Sequence, residues 1–344
     1  MPNSKRITIV DVAKAAGVSA GTASRVLNQR DGEIKISDST RAQVLEAARQ
    51  LGYHPNPFAS ALRTQRTGVI GVIVRDICDP FLALLARETQ KAARAQAMDV
   101  LLAHAEYDLE LVGNHIAYMH SHLFDGLLLL GDIPGDLAIL EELARSETPF
   151  VAVARGLSTN LPMVNIDEKK GVFQGIDYLR GLGHERIAFI GNLLHGGVKE
   201  REDHFRSYYR ENHLTLNEQY MKLCGNSRGE ALACAQSLLA LPEPPTAIFC
   251  VTDQAAYGAL NAAYRMGLRV PEDISILGFD DIEGSAETFP PLTTIRQPVG
   301  EMAADAVQLL MSFIEDQTSQ KKDSARILVE PRLIIRQSCT APKN

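Results

Sequence analysis

The chain has 344 residues, with 35 Lys and Arg against 42 Asp and Glu for a formal net charge of −7, a length that holds a small head and two core-bearing domains. Its five cysteines, Cys78, Cys224, Cys234, Cys250 and Cys339, show no CxxC or metal-ligand spacing, and an odd number excludes a closed disulfide framework. No apolar run approaches the roughly 18 residues of a membrane span, and Met1-Pro-Asn-Ser-Lys-Arg6 lacks the apolar segment of an export signal, so a cytoplasmic protein without membrane, metal or cofactor is expected. The charge is unevenly spread: residues 1–66 carry ten Lys and Arg against five acids, a net of +5, and the remainder carries −12. A basic head on an acidic body gives the head, and only the head, a reason to bind phosphates through counterion release.

Thr8 and Asp11 make a capping-box-like start, which predicts a first helix from near Ile9. Val12, Ala13 and Ala16 recur at helical spacing, Gly17 gives the freedom a tight turn needs, and Ser19 restarts the chain as an N-cap. In the second helix Val26 and Leu27 fall on the core side, leaving Ala20, Gly21, Ser24 and Arg25 outward. That small, polar, cationic face suits a nucleic-acid groove; a solvated helical hairpin is the alternative. After a polar loop through Asp31, Gly32 and Ser37, a third amphipathic helix carries Val44, Ala47, Ala48 and Leu51 and ends at Gly52. In Tyr53-His-Pro-Asn-Pro-Phe-Ala-Ser-Ala-Leu-Arg-Thr64, Asn56 can cap and Pro57 can open a further helix too short to be stable alone.

These residues resemble the DNA-binding head and hinge of the LacI/GalR family of transcription regulators, and the resemblance runs nearly end to end. It implies a helix-turn-helix domain over 1–55, a hinge helix over 56–66 and a core over 67–344, the core divided into an N-subdomain (about 67–166 and 298–324) and a C-subdomain (about 167–297 and 325–344). It also implies a homodimer on palindromic double-stranded operator DNA, with the second helix in the major groove and the hinge helices pushing a leucine into the minor groove. By motif the wedge is Leu62, in Ala59-Ser-Ala-Leu62; Ala20, Gly21 and Arg25 face the groove, Ser19 and Thr22 face phosphates, and Thr8, Ser24, Asn28, Tyr53, Asn56 and Ala59 complete the DNA-binding set. Two departures bear on this. Ala20 and Gly21 stand where relatives carry larger polar side chains, which shifts discrimination to Arg25, to the Leu62 kink and to DNA deformability. The loop between Asn28 and Thr40 is longer than the family spacing and is expected near the phosphate backbone.

Past the hinge the period changes. Gly68–Val74, Val100–Ala103, Gly126–Leu130 and Phe150–Val153 are short apolar runs separated by helical patterns, and the alternation restarts with Arg186–Ile190, Met221–Cys224, Ala247–Val251 and Ile274–Phe279. Continuously apolar strands alternating with helices read as parallel sheets covered on both faces. The predicted architecture is an all-α head and hinge helix followed by an α/β core of two doubly wound parallel-sheet domains, similar to periplasmic binding proteins. Polar Lys321–Ser324 precedes two last strands, Ile327–Val329 and Leu333–Ile335, and the absence of a leucine heptad before Asn344 leaves a dimer as the expectation.

Ligands of such sheets bind outside the carboxyl ends of the strands. The resemblance places effector contacts at Asp79 and Phe81, at Arg201 in Arg201-Glu-Asp-His-Phe205, at Asp253, and at Asp280 in Gly278-Phe-Asp-Asp281. Arg155 is a further cation for the cleft, and Asn226 stands where relatives place a ring-stacking aromatic, which favours a small sugar or polyol over a purine. Asp253 reads equally as the N-cap of the helix after it and Arg155 equally as a surface ion pair, while core is the lesser alternative for Phe81. The function implied is a transcription regulator, a repressor controlled by a sugar-like effector; a sugar-binding protein of a transport system is the alternative, disfavoured by the basic head. No dinucleotide fingerprint, Walker loop, nucleophile elbow or zinc-protease motif marks an enzyme, and His115, His120 and His122 read as a solvated helix face.

Overall fold

Three capped helices build the head: α1 (Ile9–Ala15), α2 (Ala20–Leu27) and α3 (Asp38–Gln50). The computed structural model describes residues 7–27, 36–53, 66–120, 124–133, 135, 137–146, 148–156, 161–192, 196–225, 227–315 and 325–343. The Asp11 carboxylate accepts from the backbone N–H and hydroxyl of Thr8 at 2.9 and 2.7 Å. α1 and α3 end alike, on a glycine with φ of +64° (Gly17) or +62° (Gly52), and the next N–H returns to a last-turn carbonyl, Val18 to Ala13 at 3.0 Å and Tyr53 to Ala48 at 2.9 Å. Val12, Ala13, Ala23, Val26, Val44, Ala47 and Ala48 close a small core, with Tyr53 and Leu27 packed against it. Of the expected DNA-binding positions, Asn28, Asn56, Ala59 and Leu62 lie outside the described residues.

The core alternates strand and helix because its strands are apolar on both faces and its helices on one. Its first half is β1 (Val69–Val74), α4 (Pro80–Ala95), β2 (Asp99–His104), α5 (Leu109–His120), β3 (Gly126–Leu130), α6 (Leu137–Arg145), β4 (Phe150–Val153) and β5 (Met163–Ile166). Its second half is α7 (Glu168–Gly181), β6 (Ile187–Asn192), α8 (Gly196–Glu211), β7 (Met221–Cys224), α9 (Arg228–Leu239), β8 (Ala247–Cys250), α10 (Asp253–Arg265), β9 (Ser275–Asp280) and β10 (Thr293–Arg296). Last come α11 (Val299–Glu315), β11 (Arg326–Val329) and β12 (Arg332–Ile334). One sheet has the order β11-β5-β4-β3-β1-β2, the other β12-β10-β9-β8-β6-β7, and only β12 runs antiparallel to its neighbour. Both are doubly wound, with the strand order reversing beside β1 and beside β6.

The chain crosses between sheets after β5, after β10 and after β11. The last crossing corrects the expected boundary at 324/325: Arg326–Val329 pairs in parallel with Met163–Ile166, so β11 stays with the first sheet and only β12 belongs to the second. The division of the whole chain falls between Thr67 and Gly68.

Small residues set the packing around the second sheet. α9 and α10 meet through Ala231, Ala235, Ala255, Ala256 and Ala259, and a Cβ on Gly258 would lie 2.6 Å from the Arg228 carbonyl oxygen and 2.9 Å from the Leu232 nitrogen. Backbone atoms cannot rotate away, so Gly258→Ala is expected to destabilise by about 1–3 kcal/mol despite its better helix propensity, read as a lowered urea midpoint. A buried histidine ties down the C-terminal segment: His184 bonds Thr246 Oγ1 through Nδ1 at 2.9 Å and the Thr340 carbonyl through Nε2 at 2.8 Å. Burial lowers its pKa, so the unfolded chain takes the proton first; stability is expected to fall as pH drops below about 6.5. His184→Gln, which keeps one acceptor and one donor, should flatten that acid slope in urea titrations at pH 7.5 and 5.5.

Candidate DNA-reading face and effector cleft

On the head, Ser19 Oγ accepts from the Thr22 N–H at 3.0 Å and fixes the start of α2. Ala20 and Gly21 are exposed at its tip, and Thr22, Ser24 and Arg25 are partly exposed beside them, above the buried Ala23 and Val26. Arg25 makes no ion pair among the described residues, which leaves its guanidinium available to an outside acceptor. Thr8 caps the neighbouring helix, exposed, while Tyr53 is half-buried as part of the α3 terminus.

In the core, a cleft of ≈ 350 Å³ opens where the carboxyl ends of both sheets meet. Arg75 and Asp76 reach it from the end of β1, Asp132 from after β3, Thr252 from after β8, Asp280 from the end of β9 and Gln297 from after β10. α4 contributes Phe81 through its N-cap: Asp79 Oδ1 accepts from the Phe81 N–H at 3.0 Å and its Oδ2 accepts from Arg75 Nη2 at 2.7 Å. Phe81 is 9 % exposed and belongs to the core as well as the cleft.

Arg201 anchors the opposite wall. Its Nε and Nη2 donate to the two oxygens of Glu168 at 2.7 and 3.1 Å, and Nη1 donates to the Val251 carbonyl at 2.7 Å and to Asp280 Oδ1 at 3.1 Å. The guanidinium carbon lies 3.8 Å from the centroid of the Phe279 ring. Burial disfavours its charge, but the Glu168 and Asp280 carboxylates outweigh that cost and raise its pKa above the usual arginine value. Asp280 also accepts from Gln297 Nε2 at 2.7 Å. Burial pushes its pKa well up, against the pull of Arg201. Its φ of +115°, followed by +55° at Asp281, is a costly backbone for residues with a Cβ, and strain of that kind persists where surrounding contacts over-determine it.

Those contacts come from Asp253, completely buried behind the cleft wall. Its carboxylate accepts from the Ile282 N–H at 3.0 Å, from Ser285 Oγ at 2.6 Å and from Thr294 Oγ1 at 2.6 Å. Burial pushes its pKa up to about 6 although all three donors pull it down. The N-cap of α10 is Thr252, whose hydroxyl accepts from the Ala255 N–H at 3.2 Å.

The sequence comparisons match residues 8–56 to a family described as bacterial regulatory proteins, lacI family, and residues 176–339 to a periplasmic binding protein-like domain. The chain is 37 % identical over 342 residues to the HTH-type transcriptional repressor CytR of Escherichia coli (strain K12), covering 97 % of this chain and 96 % of that protein. The chain belongs to the lacI family of bacterial regulatory proteins. A lac repressor dimer solved on operator with the anti-inducer ONPF superimposes with a TM-score of 0.86 at 26 % identity, covering 98 % of this chain and all of that one. A lacI-family regulator from Enterococcus faecium solved with bound ribose superimposes with a TM-score of 0.68 at 25 % identity, covering 80 % of this chain and all of that one. The protein is therefore a DNA-binding transcription regulator of the repressor type with an effector-binding core, and not an enzyme. No described helix is long and apolar enough to cross a membrane.

Within this lacI-family core, Asp79, Phe81, Arg201 and Asp280 line one cleft. Two expected contacts do not join them. Asp253 sits behind the wall and holds the turn after Asp280, and Arg155 is buried with Nη1 donating to the Gly131 carbonyl at 3.1 Å, off the cleft surface. Asn226 lies outside the described residues. Sequence reasoning missed Glu168, Arg75, Asp132 and Gln297. The signal for Glu168 was local: Asp167-Glu168 opens a helix directly after the apolar end of β5.

Proposed function

We propose that this regulator binds a palindromic operator as a homodimer in the cytoplasm, on the nucleoid when bound, and that a sugar or polyol in the core cleft controls that binding. The head (1–55), hinge (56–66) and core then divide the work as reader, coupler and sensor. The observation that carries the effector half is the cleft itself, walled by carboxylates and guanidiniums that bond vicinal hydroxyls, with Phe81 the only aromatic among its described lining residues. One ring face suits a sugar; a purine is better served by two. The ribose bound to the Enterococcus relative supports the same reading.

For the DNA half, Arg25 is the one long cationic side chain at the outer face of α2, between bare Ala20 and Gly21. Arg25→Ala is expected to relax preference at one base pair by about 1–3 kcal/mol, measured by anisotropy on an operator and its single-base variants. A uniform loss across all sequences would reassign Arg25 to a phosphate. Homodimerisation is supported by β2, an edge strand whose Leu101 and Leu102 are 48 % and 38 % exposed.

The test is selection of an operator from random duplexes, followed by titration of sugars and polyols into the complex. Sequence-specific, salt-dependent binding that one such ligand changes is the expected result; binding without sequence preference, or a response only to purines, would sink the proposal.

A further inference from the structure

Two buried guanidiniums face this cleft, each between two carboxylates: Arg201 between Glu168 and Asp280, and Arg75 between Asp79 and Asp132. They differ in what they have left to give. Arg201 spends its donors on Glu168, the Val251 carbonyl and Asp280. Arg75, 6 % exposed, donates one guanidinium hydrogen bond, from Nη2 to Asp79; its Nε is sealed from the cleft, and its Nη1 stands 3.6 Å from Asp132, beyond hydrogen-bond distance, as the donor left over. The guanidinium with donors to offer an effector oxygen is therefore Arg75, on the wall opposite Arg201.

We propose that Arg75, Asp79 and Asp132 form a second polar grip, which selects an uncharged polyhydroxylated effector and rejects its phosphorylated or carboxylated counterpart. The inference rests on the reading of this cleft as the effector site. Each guanidinium stands between two carboxylates, and Asp79 is near enough across the cleft to raise the pKa of Asp280. Hydroxyl hydrogens placed between those carboxylates relieve their repulsion, and a hydroxyl oxygen takes a donor from Arg75. An anionic group would add a third negative charge there. Arg228, over the Tyr257 ring at 5.2 Å and with no carboxylate partner among the described residues, is the feature that would favour an anion, so anion binding is the outcome that decides against the proposal.

The full-length protein is titrated calorimetrically with two pairs: D-ribose and ribose 5-phosphate, D-glucose and glucose 6-phosphate. At least one neutral member is expected to bind at least tenfold more tightly than its phosphorylated partner. Arg75→Gln should weaken that neutral ligand at least tenfold, and Asp132→Asn, which keeps the shape and removes one charge, should narrow the discrimination at least fivefold while the variant still melts cooperatively. Equal or tighter binding of a phosphorylated member overturns the proposal. Unchanged affinities in both variants overturn the second grip but leave the effector site standing, and failure of every neutral ligand overturns the sugar-like reading together with this one.

Discussion

Glu168→Ala is expected to cost about 3–5 kcal/mol and to abolish the effector response, because it strands Arg201. The two side chains are 5 % (Arg201) and 3 % (Glu168) exposed and joined by two parallel N–H to oxygen contacts, the geometry in which a carboxylate and a guanidinium gain most. Removing the carboxylate leaves a buried cation with Asp280 as its one remaining carboxylate partner among the described residues. Two consequences follow at the site. The guanidinium can no longer be held flat against Phe279, and Asp280 loses the fixed donor that orients it toward the cleft. Glu168→Gln should fall between wild type and alanine, since its amide oxygen can accept one of the two bonds while its NH₂ faces a donor. Urea unfolding of the full chain, followed by a core-specific probe, gives the stability, and titration of the operator complex gives the response. An unchanged midpoint together with an unchanged effector affinity would show that the pair is dispensable.

What was legible in the sequence was what short-range chemistry decides. Thr8, Gly17, Ser19 and Gly52 punctuate the head because caps and left-handed turns are made by the residue itself and its near neighbours. β1, β3 and β4 announced themselves as unbroken apolar runs, since strands buried on both faces tolerate little else. β5 and β10 did not. Met163-Val-Asn-Ile166 and Thr293-Thr-Ile-Arg296 are four residues long with polar side chains inside, and their place in the sheets depends on partners distant in sequence. The allegiance of β11 was hidden for the same reason: nothing in Arg326-Ile-Leu-Val329 says which of two sheets has a vacant edge.

The cleft was half legible on the same principle. Asp280 and Arg201 sit in recognisable motifs at a strand end and a helix start, whereas Arg75, Asp132 and Glu168 reach the cleft only because separate strand ends converge there. Asp253 illustrates the opposite error. A carboxylate directly after a strand reads as a ligand contact or a helix cap, but Thr252 takes the cap, and the carboxylate turns inward to three donors.

Asp253→Ala should accordingly cost about 2–4 kcal/mol, because it leaves a buried N–H and two buried hydroxyls without their acceptor. Asp253→Asn is no rescue: the amide offers one acceptor oxygen and adds two donors to a site that already holds three. The pH dependence separates the charge from the contacts. With its pKa pushed up to about 6 in the fold and near 3.9 in the unfolded chain, Asp253 holds its proton in the folded state while the unfolded state ionises. Its contribution therefore declines as pH rises from about 4 to about 6 and is constant above, opposite in sign to that of His184, whose contribution declines as pH falls below about 6.5. Urea midpoints measured from pH 4 to 8 should lose the carboxylate slope in Asp253→Asn and keep the histidine slope. The same variant tests how strain is held at the site. Asp253 does not line the cleft, yet it fixes Ile282, two residues beyond Asp280, so releasing it lets Asp280 and Asp281 leave their left-handed backbone. Effector affinity should fall with no cleft contact removed, and an affinity unchanged in a variant with a lowered midpoint would place the support for that turn in the ion pairs that Arg296 and Arg336 make with Asp281 instead.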